Sequence, residues 1–162
     1  MNCPNCGAAM ELREGRGYFV CSYCTTFHFP DESTESVDGV IDGGNQAEMS
    51  CPVCETRLNE GTIEGRRVFH CGTCRGVLMT NGDFGVIVKQ RRAKYTGPES
   101  TPVALNPEEL KRKLRCPHCA DVMDVHPYYG PGNVAVDTCA RCFLIWLDHG
   151  EIGRIEKAPG GR

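Results

Sequence analysis

Apolar positions in this chain come in short bursts separated by long polar stretches; the longest, Phe143-Leu144-Ile145-Trp146-Leu147, is five residues. Bursts of this size suit short strands, and none approaches the ~20 residues of a membrane span. Glu11-Leu12-Arg13 and Tyr18-Phe19-Val20 read as strands joined by the turn Glu14-Gly15-Arg16-Gly17. Thr62-Ile63 and Arg67–His70 read as a second pair, and Asp121–Val125 and Val134–Asp137 as a third, joined by the turn Pro127–Gly132. Three segments carry helix starts. Thr80 and Asp83 sit at N-cap and N3 spacing and predict a helix from about Asn81 to Tyr95. Asn106-Pro107-Glu108-Glu109 predicts a short helix from Glu108 to about Leu114, basic at its C-terminal end. Asp148 and Glu151 form a capping box ahead of Ile152 and Ile155. Capping accounts for both carboxylates without acid–base chemistry, and His149 reads as solvent-facing.

Cysteine gives the pattern its meaning. Twelve cysteines form six Cys-x-x-Cys pairs, grouped as Cys3/Cys6 with Cys21/Cys24, Cys51/Cys54 with Cys71/Cys74, and Cys116/Cys119 with Cys139/Cys142. Within the sets, 14, 16 and 19 residues separate the pairs, room for a strand, a turn and a returning strand. The first pair of each set reads Cys-Pro-x-Cys, and proline suits a tight knuckle because it fixes φ and lacks an N–H. Four thiolates at this spacing complete a tetrahedral structural metal site and leave no open position for water or substrate. His118 lies inside a knuckle and His70 abuts Cys71, but either would serve as a ligand only if a cysteine were missing. A disulfide framework is disfavoured, because Met1-Asn2-Cys3 opens without an apolar export segment. No βαβ pattern surrounds a thioredoxin-like redox pair. Zinc is the expected ion, one per set, with iron the less favoured alternative for four soft thiolates.

A chain of 162 residues divided this way gives three modules near the size at which a core alone rarely suffices, so each needs its metal. The expected order is a truncated zinc ribbon at 1–32, an acidic flexible linker at 33–48, and a second ribbon with a C-terminal helix at 49–95. A loop and short basic helix at 96–112 then lead to a third ribbon with its helix at 113–158. Formal charge is −3, and three loaded four-thiolate sites take it to about −9, which weakens a general case for phosphate-backbone binding. Residues 31–60 carry eight acids and one base. Residues 89–115 carry eight bases and three acids, and Lys89, Arg91, Arg92, Lys94, Lys111, Arg112, Lys113 and Arg115 are the candidate nucleic-acid contacts. A solvated connector is the competing reading of that stretch.

The second and third modules resemble the transcription factor IIB-type zinc ribbon found in many small bacterial proteins. The likeness rests on Cys-Pro-x-Cys, two strands, Cys-x-x-Cys, a short apolar strand and a capped helix. In the third module that last segment is Trp146-Leu147-Asp148-His149-Gly150-Glu151-Ile152; in the second it is Leu78-Met79-Thr80-Asn81-Gly82-Asp83-Phe84. The first module shares only the two knuckles. The family knuckle usually ends in glycine, as at Gly7, whereas Glu55 and Ala120 stand there in the other modules. The resemblance implies small metal-stabilised β-rich domains: three tandem zinc ribbons with rubredoxin-like knuckles, zinc on the cysteines, and Trp146 packed into its own ribbon's core. It does not imply a particular partner.

These observations lead to an expected zinc-binding, non-enzymatic adaptor in the cytoplasm, presenting exposed apolar residues such as Tyr128, Tyr129 and Phe143 to a protein partner. No nucleophile–base pair and no open metal position suggest an enzyme. A nucleic-acid binder using the basic 89–115 connector and a rubredoxin-like iron electron carrier are the alternatives.

Overall fold

The computed structural model describes residues 1–13, 18–30 and 37–161. The chain divides into two compact units, Met1–Glu35 and Ser36–Arg162.

In the first unit β1 (Met10–Arg13), β2 (Tyr18–Cys21) and β3 (Phe27–His28) form an antiparallel sheet in that order. Met10 stands opposite Cys21 and Phe19 opposite His28. The small core consists of Cys3, Met10 and Cys21, with Ala8, Phe19 and Cys24 packed against it. Tyr18, Phe27 and Phe29 add a ring cluster with centroids 5.4–6.4 Å apart. The expected turn at 14–17 lies outside the described residues.

The second unit contains β4 (Ile41–Ser50), β5 (Arg57–Ile63), β6 (Arg66–His70), β7 (Val77–Thr80), α1 (Asn81–Lys94), α2 (Pro107–Lys111), β8 (Asp124–Pro127), β9 (Ala135–Cys139), β10 (Leu144–Leu147) and α3 (Glu151–Lys157). All seven strands join one antiparallel sheet, ordered β4-β5-β6-β7-β10-β9-β8. The second and third ribbons are therefore tandem in sequence but fused in space, through the pairing of β7 with β10. Leu78 stands opposite Trp146, and each lies four residues past the last cysteine of its ribbon. Equivalent positions facing one another place a pseudo-two-fold axis between them. Val77 and Met79, with Ile145 and Leu147, turn to the face covered by Phe84, Ile87 and Val88 of α1 and Ile152 and Ile155 of α3, and all are buried there. Leu78 and Trp146 alternate to the opposite face, and both are fully buried. Central strands bury both faces, which is why these short runs are apolar throughout.

Several expectations change. The segment read as a flexible linker contains β4: residues 33–36 lie outside the described part, but Ile41–Ser50 pairs along β5. Its sequence hides the strand because only Ala47 is buried, so no apolar alternation marks it. Main-chain pairing holds it instead, with irregular register between Asp42 and Ser50. β5 admits that close approach at Gly61, where an added Cβ would lie 2.6 Å from the Ile41 carbonyl oxygen.

α1 starts as predicted, Thr80 Oγ1 accepting from the Asp83 amide at 3.1 Å. α2 starts at its Asn106 cap but ends at Lys111, because Arg112 turns extended and its guanidinium reaches Asp137 and Asp148 at 3.0 and 2.9 Å.

The capping box on α3 is half realised. Glu151 Oε2 accepts from the Asp148 amide at 2.8 Å, but the Asp148 carboxylate is drawn away to Arg112 and to Trp146 Nε1, 3.1 Å distant. Gly150 is the N-cap residue, in a left-handed conformation and without a side chain to cap with. Asp38 substitutes from the former linker, accepting from the Gly150 and Gly153 amides at 2.9 and 3.2 Å. His149 is buried, not solvent-facing, with Nδ1 3.9 Å from Asp38 Oδ2.

Candidate metal centres

Each centre is built from two copies of one knuckle. In all six, the residue after the second cysteine donates its amide to the carbonyl of the first at 2.9 Å: Gly7 to Cys3, Thr25 to Cys21, Glu55 to Cys51, Arg75 to Cys71, Ala120 to Cys116 and Phe143 to Cys139. That residue takes a left-handed conformation every time, with φ from 58° at Phe143 to 79° at Gly7. Five of the six positions are not glycine, so the strain is accepted at about 1 kcal/mol or more each. Free sheet geometry would not select it. The turn is needed to aim both thiols and the intervening amides at one point.

The four sulfurs of each set lie within 4.8 Å of one another: Cys3, Cys6, Cys21 and Cys24; Cys51, Cys54, Cys71 and Cys74; Cys116, Cys119, Cys139 and Cys142. Cross-knuckle separations are 3.5 Å for Cys3–Cys24 and Cys6–Cys21, 3.7 Å for Cys51–Cys74 and 3.6 Å for Cys119–Cys139. A tetrahedron of thiolates at ~2.3 Å from its ion has edges of about 3.8 Å, so these sets are close to coordination geometry. Backbone amides supply further support. Cys51 Sγ accepts from Val53 and Cys54 at 3.4 and 3.3 Å, and Cys71 Sγ from Thr73 and Cys74, both at 3.4 Å. Such bonds stabilise a thiolate rather than a thiol. The donor set fits a soft tetrahedral dication, which would hold each pair of knuckles together and neutralise part of their charge.

Without a cation, the crowded thiols divide their protons unevenly. The Thr26 hydroxyl holds Cys24 down at about 5. Desolvation, and then the neighbouring Cys119, push Cys142 up to about 12. In the second set Cys71 is lowered by hydrogen bonds from Cys51 and Cys54, while Cys74 is raised by the same neighbours. Metal binding must displace the remaining protons, so affinity falls as pH falls.

Two supporting contacts lay outside the sequence expectations. Thr26 Oγ1 is 3.1 Å from Cys24 Sγ, and Thr56 Oγ1 is 3.4 Å from Cys71 Sγ. Each threonine stands two residues past the second cysteine of its knuckle, a spacing that could have signalled the role. His118 Nδ1 lies 3.4 Å from Cys142 Sγ.

The basic connector is not a uniform cationic face. Arg91 binds the Glu156 carboxylate and the Asp38 carbonyl. Arg92 is buried, and its guanidinium caps the end of α3 at the Ile155, Ala158 and Gly161 carbonyls at 2.6–3.0 Å. Arg112 bridges Asp137 and Asp148. Lys94 meets Glu64 at 2.6 Å, Lys111 meets Glu108 at 3.1 Å, and Arg115 donates to the Ala120 carbonyl at 3.1 Å. Lys89, Lys94, Lys111, Lys113 and Arg115 are exposed. Tyr129 and Phe143 are also exposed, at 86% and 67%, whereas Tyr128 is half-buried, edge-on to Phe84 at 5.3 Å. No helix among the described residues is long and apolar enough to cross a membrane.

Comparison with curated proteins and with solved structures returned no match. The family model described as transcription factor zinc-finger matches residues 50–89, the span from the end of β4 through both knuckles of the second centre into α1. Residues 50–89 are thus a zinc ribbon of the transcription factor IIB type.

Proposed function

We propose that this chain is a non-enzymatic adaptor which holds three zinc ions, one per four-cysteine set, and presents its ribbons to a protein partner in a compartment where thiols stay reduced, the cytoplasm. The observation that carries this reading is a contrast between side chains: Tyr129 and Phe143 of the third ribbon expose their rings, while Arg112 of the basic connector is bound internally to Asp137 and Asp148. Exposed aromatics are characteristic anchors of protein interfaces. The zinc assignment is supported by the ribbon match and by sets in which every tetrahedral position has a thiolate.

A nucleic-acid reading draws support from the exposed Lys89, Lys94, Lys111, Lys113 and Arg115. It is the weaker one, because Arg91, Arg92 and Arg112 bind internal partners and the loaded chain is strongly acidic. The test is a tagged pull-down from native lysate, split into nuclease-treated and untreated halves and compared with a Tyr129→Ser/Phe143→Ser variant. A stoichiometric protein that survives nuclease and is lost from the variant supports the adaptor. A signal that disappears with nuclease favours the basic connector. A colourless preparation argues against iron.

A further inference from the structure

The three centres have the same cysteines but differ in the knuckle residue just before the second of them. Between the first two cysteines of each set stand Asn5, Val53 and His118. The side chain there faces the fourth cysteine in two of the sets: Asn5 hydrogen-bonds Cys24, and His118 Nδ1 is 3.4 Å from Cys142 Sγ. In the second centre Val53 offers no donor atom, and Cys74, the counterpart of Cys142, is buried. Only the third centre therefore has a metal-ligating atom beyond its four sulfurs at this position. His118 is exposed and Cys142 half-buried, and both line an open cleft with Cys119, Arg141 and Leu144.

We propose that His118 is a standby ligand of the third centre. With four thiolates on the ion, its Nδ1–H donates to the Cys142 sulfur, which lines the cleft. When Cys142 is withdrawn, the imidazole moves its proton to Nε2 and offers the Nδ1 lone pair to the ion, converting the set from four sulfurs to three sulfurs and one nitrogen. Both donor sets are established tetrahedral zinc environments. The third ribbon can thus release a thiolate into the cleft without losing its ion, whereas in the second ribbon Val53 has no donor atom and His70 turns its Nε2 toward Asp42, 3.8 Å away. This inference is independent of which partner the ribbons bind.

The test uses the full-length chain with Cys142→Ala, counting ions per chain by native mass spectrometry and recording the cobalt(II) spectrum. The variant should hold three ions, with one thiolate's share of the charge-transfer absorption lost and the d–d bands moved to higher energy. Cys142→Ala/His118→Ala should hold two, and Cys74→Ala, whose ribbon has Val53, should also hold two. Two ions in Cys142→Ala would overturn the proposal, whether the ribbon stays folded or not; so would three ions in the double variant. As a second measurement, His118→Ala with every cysteine intact should hold three ions but release one of them to a chelator several-fold faster than the unsubstituted chain. An unchanged release rate would also overturn it.

Discussion

Replacing Gly76 with alanine tests whether the second and third ribbons are one body. Gly76 follows the second knuckle of ribbon two, and its carbonyl accepts from the Cys71 amide at 3.0 Å, so its backbone is tied to the metal centre. A Cβ there would run into the Trp146 ring, with Cη2 at 2.7 Å and Cε2 at 2.9 Å. The ring has little freedom to withdraw. It is fully buried, and its Nε1 donates to Asp148, which Arg112 holds in turn. Overpacking a core usually costs about 1–3 kcal/mol. Contact with several ring atoms of an anchored side chain puts Gly76→Ala at the upper end, about 3 kcal/mol. Trp146→Leu, which installs the residue of the equivalent position in ribbon two, leaves a cavity and should cost about 3 kcal/mol alone. The two changes relieve one another, so the double variant should be less destabilised than the sum by about 1 kcal/mol or more. Urea unfolding at constant free zinc measures all three, and Trp146, the chain's one tryptophan, reports the seam by its emission. If Gly76→Ala unfolds at the original midpoint with unchanged emission, or if the two costs simply add, the fused-ribbon account fails.

Three further outcomes are expected. Ala120→Gly should raise the stability of the second unit by about 0.5–1 kcal/mol in the same urea experiment, because φ of 66° strains alanine more than the added unfolded-state freedom of glycine offsets; a loss of stability would show the knuckle to be unstrained. Asp38 is raised to about 6, chiefly by burial, against the Gly150 and Gly153 amides and the Arg91 charge, with Glu156 adding to the rise and His149 also facing it. Its folded form binds a proton more tightly than the unfolded chain, so this contribution is complete below the ordinary carboxylate range and is lost as pH rises through about 6. Between about pH 7 and pH 5 the unsubstituted chain should therefore gain about 1 kcal/mol relative to Asp38→Asn, and a pH-independent difference would contradict the assignment. Cys74→Ser should release one zinc per chain and leave the other two bound, as read by elemental analysis; retention of all three would break the four-sulfur assignment of the second set.

How legible this protein was depends on how local each signal is. Cysteine spacing and the Cys-Pro-x-Cys knuckles determine the ligand sets within a few residues of chain, and the Thr80 and Asn106 caps act within one helical turn; all of these could be read directly. β4 could not, because its side chains face solvent and its pairing is made by the main chain. The cap of α3 misled for another reason. Asp148 stands at the right spacing, but a charged hydrogen bond to Arg112 competes for its carboxylate, and the replacement, Asp38, comes from more than a hundred residues away. The basic run at 89–115 looked like one surface because sequence does not reveal which arginines find internal carboxylates and carbonyls. Fusion of the ribbons was written in the apolar strands Val77–Thr80 and Leu144–Leu147, but as two similar short runs whose pairing with each other needs the three-dimensional fold.

The most direct test of the whole account is the metal content of the intact chain, purified under reducing conditions and weighed by native mass spectrometry before and after acid denaturation. Three zinc ions per chain, all released on denaturation, are predicted from the three four-thiolate sets. A metal-free chain whose denatured mass is two hydrogens lighter for every pair of bridged cysteines would contradict it, as would a chain holding iron or fewer than three ions.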